Sequence, residues 1–268
     1  MELYQTPYII FFTVFAFALG ACIGSFLNAT AMRTVAEKKW WGSERSVCDH
    51  CGETLQTRDL IPILSFLGLK GRCRYCGGVI GKRHFVAEVI CGTLTAGLFL
   101  RWGLSPALAV ALVVLWFSLF NGLTDYDNGY IYDVWAVAPG VIGLLIRIAG
   151  GKHALIDGLL GGALGFCFIA LIILVSRGGM GWGDAMIMLG IGAAVGWKYC
   201  AFSLYAGFLI GGLAVLPRLV SKKLKRKDAI PLGPYLAVGA VLVLFIGNAL
   251  IAHFADLIGR YPGWPWGA

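Results

Sequence analysis

Gly181-Trp182-Gly183-Asp184 opens a run of apolar residues that reaches position 197. A carboxylate in such a stretch is costly inside a membrane, so it indicates a functional site with a partner. The two glycines carry no side chain, which lets backbone, water or substrate approach the aspartate closely. The obvious candidate partner is Asp125, at the end of another apolar segment. Two carboxylates that meet can share a proton and activate a water molecule, so the fold has to bring these two together.

The composition is that of a protein that crosses a membrane several times. Of the 268 residues, 59% are hydrophobic and 13% are charged, and the mean hydropathy is +0.79. Soluble domains carry about a quarter charged residues. In a soluble protein, the net charge of +8 would suggest binding to nucleic acid. Basic cytoplasmic loops beside anionic lipid explain it better, so we expect membrane lipid and no nucleic acid among the partners.

Eight apolar segments predict an all-α polytopic membrane protein with about eight transmembrane helices. They are 8–29, 84–101, 106–124, 134–149, 154–175, 184–197, 199–217 and 235–254. Most approach the roughly 20 residues that cross a bilayer, whereas the fourth and especially the sixth are shorter. We expect the sixth to begin inside the membrane at a water-lined cavity, because irregular backbone at that depth needs protein or water beside it.

The positive charges orient the predicted bundle. Ten Lys/Arg fall in the loop 30–83 and six in the loop 218–234, and an even number of segments separates the two loops. The positive-inside rule makes that face cytoplasmic. Arg177 joins it, whereas five cations remain for the other face: Arg101, Arg147, Lys152, Lys198 and Arg260. By the same parity Asp125 and Asp184 both lie at the cytoplasmic face.

This orientation places the N-terminus outside. Leu19-Gly20-Ala21-Cys22 is similar to a lipoprotein cleavage box, but the first seven residues carry only Glu2 and no positive charge. A secretory signal has a positive n-region, so we predict an uncleaved first helix. The small residues Gly20, Gly24, Ser25 and Asn28 predict its packing face.

The first loop carries a second signal, two paired-cysteine knuckles. Cys48 and Cys51 are followed, after twenty-one residues, by Cys73 and Cys76. This spacing suits tetrahedral thiolate coordination of zinc in a zinc-ribbon-like loop. Cytoplasmic thiols stay reduced, which argues against disulfides. Four cysteines leave no open position for water, so the predicted zinc is structural; four unligated thiols are the alternative.

An ordered set of motifs resembles the bacterial type IV prepilin peptidases, membrane aspartic proteases of the GxGD type. The set spans most of the chain: Gly24-Ser25-Phe26-Leu27-Asn28, residues 59–66, residues 71–76, Asp125-Tyr126-Asp127, Gly181-x-Gly183-Asp184 and residues 230–236. The resemblance implies that Asp125 and Asp184 are the catalytic pair. The chain departs from the family at Tyr132, where proline is common, at His84, where tyrosine is usual, and after Arg33, where a proline is missing.

The resemblance also implies an activity. Such enzymes cut the leader from type IV prepilins or from pseudopilins, after a glycine, at the cytoplasmic surface of the bacterial inner membrane. Many also methylate the new N-terminus with S-adenosylmethionine, although the sequence assigns no residues to that donor. The predicted division is a first helix (1–29), a cytoplasmic four-cysteine loop (30–83) and a protease bundle (84–268). The oligomeric state and the individual prepilin are not specified by the sequence.

Other interpretations stay open. The chain could be a peptidase without methyltransferase activity, a proton-coupled transporter that uses the carboxylates, or a zinc-ribbon interaction module without catalysis. Asp125 and Asp184 could instead have a structural role as helix caps, because aspartate is common at such positions. We predict Asp133 to be the N-cap of the fourth segment. His84 and Glu88, four residues apart on a helix, are predicted to pair.

Overall fold

The computed structural model describes residues 2–39, 45–176, 180–220 and 232–258. These residues are almost entirely helical, and they contain no β-strand. Eight of the described helices, each of 14 or more residues, correspond to the eight apolar segments, which confirms the predicted all-α fold. The helices are α1 (Glu2–Val35), α2 (Leu64–Gly68), α3 (Lys82–Trp102), α4 (Pro106–Asn128), α5 (Asp133–Ile148), α6 (Lys152–Val175), α7 (Trp182–Val195), α8 (Trp197–Val220) and α9 (Gly233–Ile258).

Six of the described helices are long and apolar enough to cross a membrane: α1, α3, α4, α6, α8 and α9. Helices α5 and α7 have 16 and 14 residues. They measure about 24 and 21 Å, less than the roughly 30 Å of a hydrocarbon core, so their predicted shortness is confirmed. Helix α1 continues to Val35, beyond the apolar segment that ends at 29, because hydropathy detects the apolar part of a helix and not its full length.

Several features predicted from the sequence lie outside the described residues. They include most of the basic loop between 221 and 231, Arg177, and the chain from 259 onward.

The chain divides into two compact units, Met1–Leu100 and Arg101–Ala268. In the N-terminal unit, α1 packs closely on α3 through the predicted small residues. A Cβ atom placed on Gly20 would lie 2.6 Å from Cβ of Thr95, and one on Gly24 would lie 2.7 Å from Cβ of Cys91. Such close approach is how small residues join helices in lipid.

Helix α7 lies at the centre of the C-terminal unit. It contacts α4, α5, α6, α8 and α9, and most of its residues are buried. Small residues permit this, since Cβ atoms on Gly140 and Gly143 of α5 would lie 3.0 Å from Cα of Gly190 and 2.5 Å from Cα of Ala194. A helix that is apolar all round is normally enclosed by others, which explains how a short helix is stable here.

Helix α4 ends one turn after Asp125. Gly129 adopts the left-handed conformation (φ 67°) and its N–H donates to the carbonyl of Asp125, an αL end that glycine favours. Helix α5 then begins at Asp133 with Tyr132 as the N-cap. The prediction of Asp133 as N-cap was therefore wrong by one position. Tyr132 has the extended backbone that an N-cap needs, although its side chain makes no capping bond.

Arg147 was counted among the cations of the outer face, but it is fully buried among helices. Its guanidinium donates to the carbonyl of Ala194 at the end of α7 (2.8 Å) and to the carbonyl of Ala154 in α6 (3.0 Å). It also bonds the carboxylate of Asp157 at 2.9 Å. Arg147 therefore joins the ends of α5, α6 and α7.

We expect Arg147→Met to destabilise the C-terminal unit by about 3 to 5 kcal/mol, because it leaves Asp157 and two carbonyls without their cation. Thermal unfolding in detergent measures the loss. Lys152→Met, which removes an exposed cation from the same region, is the control and should unfold near the wild-type temperature. Equal unfolding temperatures for both variants would show that the Arg147 network contributes little.

Candidate active site and metal centre

Asp125 and Asp184 lie on helices that contact each other. Asp125 is in the last turn of α4 and Asp184 in the first turn of α7. Both side chains are buried, with 4% and 6% of the residue surface exposed. The short α7 thus brings its aspartate to the end of α4.

Neither aspartate occupies the cap position of its helix. The caps of α4 and α7 are Gly129 and Gly181. Asp184 is the third residue of its helix. Oδ1 of Asp184 and Oδ2 of Asp125 are buried and accept no hydrogen bond from the described residues. One oxygen of each carboxylate therefore remains available for a ligand.

Ile131 lies between Gly183, which precedes Asp184, and Gly233, which approaches Asp125 in space. This residue was not identified from the sequence. It lies in the α4–α5 connection and is buried. A Cβ atom on Gly183 would lie 2.7 Å from Cβ of Ile131, and one on Gly233 would lie 3.4 Å from its Cδ1. The same atom on Gly233 would lie 2.6 Å from Oδ2 of Asp125. Gly183 and Gly233 thus let the backbone close around Ile131 and the carboxylates.

The four predicted cysteines converge in the N-terminal unit. The sulfur atoms of Cys48, Cys51, Cys73 and Cys76 all lie within 4.8 Å of one another, and this group could hold a metal ion. The sulfurs of Cys48 and Cys76 are 4.0 Å apart. Tetrahedral thiolates at about 2.3 Å from zinc would be separated by about 3.8 Å, so the cluster needs little adjustment.

The two knuckles share one local design. After the second cysteine of each stands a glycine with positive φ, Gly52 (73°) and Gly77 (70°). Its N–H donates to the carbonyl of the first cysteine, at 2.8 and 3.0 Å. Each knuckle closes with an isolated β-bridge, Val47–Thr54 and Arg72–Val79. The repeated Cys-x-x-Cys-Gly was present in the sequence and would have predicted these turns.

Polar contacts order the loop around the cysteines. Main-chain N–H groups of Cys51 and His50 lower the pKa of the Cys48 thiol to about 7, which favours its thiolate. Against the main-chain N–H of Glu53, burial and the adjacent Cys48 and Cys76 thiols raise the pKa of Cys51. Asp59 accepts hydrogen bonds from Arg74 Nε (2.7 Å) and from the Tyr75 hydroxyl (3.1 Å). The Arg74 guanidinium lowers the pKa of Asp59 below its usual value. Asp59 therefore ties the segment after the first knuckle to the second.

His84 and Glu88 each have a partner other than the one predicted. Nδ1 of His84 lies 2.9 Å from Nδ2 of Asn28, and Oδ1 of Asn28 accepts from Nε of Arg83 at 2.8 Å. Glu88 accepts a hydrogen bond from the N–H of Ile63 at 2.7 Å. These contacts attach α1 and the cysteine loop to the start of α3.

Two family models match the chain in order. Residues 18–102 match the bacterial peptidase A24 N-terminal domain, and residues 112–216 match the type IV leader peptidase family. The first range contains the four cysteines and the second contains both aspartates.

Curated relatives match over nearly the whole chain. The prepilin leader peptidase/N-methyltransferase of Bacillus subtilis is 30% identical over 241 residues, 90% of this chain and 97% of that protein. The proteins of the same name from Pseudomonas putida and Pseudomonas aeruginosa are 28% and 26% identical, covering 93% and 92% of this chain and 96% and 95% of theirs. No solved structure matches significantly. This multi-pass membrane protein belongs to the type IV leader peptidase family.

Proposed function

We propose that the chain is a membrane aspartic endopeptidase that removes the leader from type IV prepilins or pseudopilins after a glycine. We propose further that it methylates the new N-terminus with S-adenosylmethionine. The observation that carries the proposal is the burial of two carboxylates, Asp125 and Asp184, on contacting helices inside the region that matches the type IV leader peptidase family. The names of the relatives support both activities.

Cleavage of the peptide bond needs only the two carboxylates and water. One carboxylate, ionised, takes a proton from a water molecule as it attacks the scissile carbonyl, and the other, protonated, donates to the carbonyl oxygen. The tetrahedral species then collapses, the C–N bond breaks and the amine leaves with a proton. Oδ1 of Asp184 and Oδ2 of Asp125 accept no hydrogen bond from the described residues and are available for this exchange. S-Adenosylmethionine would supply the methyl group for the released amine.

We propose the orientation that the charge count predicts, with the N-terminus outside and the first loop in the cytoplasm of the bacterial inner membrane. Asp125 and Asp184 at the ends of their helices suit a peptide bond presented near the membrane surface. A proton-coupled transporter would more typically place its carboxylates near the midplane of the bilayer.

Purified protein incubated with a prepilin and methyl-labelled S-adenosylmethionine tests the two activities separately. We expect mass spectrometry to find the mature pilin without its leader, carrying one labelled methyl group. Without the donor, cleavage should continue and the label should be absent. Cleavage without methylation in both samples would reduce the activity to a peptidase. No cleavage by folded protein would overturn the proposal and favour the transporter.

We propose that the four-cysteine cluster binds zinc in a structural role. All four ligands would be thiolates, which zinc favours and which leave no open coordination site for a substrate. N–H groups of Tyr75 and Gly78 point to the sulfurs of Cys73 and Cys76, both at 3.4 Å, and would support the ionised thiolates.

Cys73→Ser should abolish zinc binding, because serine is a poor zinc ligand and three remaining thiolates cannot close the site. Elemental analysis of protein purified without chelator should find about one zinc per chain in the wild type and almost none in the variant. Limited proteolysis should then cut the loop faster. Cys22→Ser is the control, since Cys22 is exposed and outside the cluster. Full zinc content in Cys73→Ser would contradict the assignment.

A further inference from the structure

The cysteine loop exposes an apolar surface that the metal site does not explain. Leu60, Ile61, Leu64 and Leu67, here called the loop apolar patch, have 46%, 46%, 68% and 57% of their surface exposed. Hydrogen bonds from Ser65 to Ile61 and from Leu69 to Ser65, each 3.0 Å, give this segment helical turns. Leu64 and Leu67 are three residues apart within α2 and therefore share one side of it, whereas Leu60 and Ile61 precede the helix. An apolar patch of this kind indicates an interaction site.

The opposite side of the segment is fixed to α3. The ring of Phe66 stacks on that of Phe85, with centroids 4.9 Å apart. The N–H of Ile63 donates to Glu88 at 2.7 Å. Phe85 and Glu88 lie in the first two turns of α3, about 5 to 9 Å along the axis from Lys82. Since α3 is apolar enough to cross a membrane from Lys82 onward, the patch lies close to where α3 enters the bilayer.

The charges around the patch are positive. Arg58, Lys70 and Arg72 flank it and are exposed. No acidic residue occurs between positions 60 and 72. The nearest acid in sequence, Asp59, is paired with Arg74 at 2.7 Å, and Glu88, which contacts Ile63 from α3, is buried. An apolar face with basic flanks is the combination that binds the surface of an anionic membrane.

We propose that the loop apolar patch inserts into the headgroup–acyl boundary of an anionic bilayer and lies in the plane of the membrane. Leu64 and Leu67 enter the acyl region, while Arg58, Lys70 and Arg72 contact lipid phosphates. The loop would thus be held against the membrane through Ile63 and Phe66 on one side and lipid on the other. This inference rests on the membrane fold and is independent of the peptidase activity.

A photo-crosslinking residue tests the proposal in the full-length protein. Leu64 is replaced by p-benzoylphenylalanine, and the protein is placed in nanodiscs of phosphatidylglycerol and phosphatidylcholine. Val47, in the first knuckle, is the control because it is apolar and 51% exposed. Mass spectrometry after illumination should find at least roughly fivefold more lipid adduct at position 64 than at position 47. The adduct should decrease in phosphatidylcholine alone.

Equal lipid labelling at the two positions would overturn the proposal, as would the absence of lipid adduct at 64. A cross-link from position 64 to a second copy of the chain, or to added prepilin, would show that protein covers the patch and would also overturn it.

Discussion

Asp184→Asn should lower kcat for prepilin cleavage by at least about a thousandfold, with the protein still folded. Asparagine keeps the shape of the side chain but cannot exchange a proton with water or with the scissile carbonyl. Asp125→Asn should have a similar effect, because the mechanism needs both carboxylates. Initial rates at saturating prepilin measure kcat directly, and KM should change far less than kcat.

The double variant distinguishes a coupled pair from two separate residues. If Asp125 and Asp184 act as a unit, Asp125→Asn/Asp184→Asn should be about as slow as either single variant. Asp133→Asn is the control, since Asp133 is an exposed acid at the start of α5 and has no part in the proposed chemistry. A double variant that multiplies the two single losses would contradict a shared step.

Gly233→Ala should lower kcat by about a hundredfold through displacement of Asp125. The new methyl group would stand 2.6 Å from Oδ2 of Asp125, closer than carbon and oxygen normally approach. Either the carboxylate or the start of α9 has to shift, and catalytic geometry tolerates little movement. Gly183→Ala should act similarly, through the 2.7 Å approach to Ile131.

Gly122→Ala is the matched control for this prediction. Gly122 lies on α4, one turn before Asp125, and the nearest atom to an added Cβ would be 3.9 Å away. We expect unchanged kcat and equal or slightly higher thermal stability, since alanine favours a helix. Wild-type kcat in Gly233→Ala would show that the contact with Asp125 does not control the active geometry.

The sequence predicted those features that depend on local chemistry. Apolar runs predicted the helices, because the bilayer requires about 20 apolar residues for each crossing. The spacing of Cys48, Cys51, Cys73 and Cys76 predicted a cluster, because short knuckles leave few ways to arrange four sulfurs. The position of Asp184 at an apolar run predicted that it is enclosed, since an isolated charge there would be costly; it is buried on a helix that contacts the helix of Asp125.

Features that depend on tertiary packing could not be predicted in this way. Ile131 is an ordinary apolar residue in the sequence, and its place between Gly183 and Gly233 follows from the meeting of α4, α7 and α9. Arg147 was counted as a cation of the outer face, because a charge pattern cannot tell a helix end in solvent from one enclosed by neighbours. The partners of His84 and Glu88 came from α1 and the loop, which no helical spacing within α3 indicates.

The most direct test of the proposed aspartic mechanism is the intact mass of one prepilin after incubation with wild type, Asp125→Asn and Asp184→Asn in parallel. We predict complete loss of the leader after a glycine with wild type, and uncut prepilin with both folded variants. Cleavage at the same bond by either variant would contradict the mechanism, because a carboxylate assigned to the chemistry would then be dispensable.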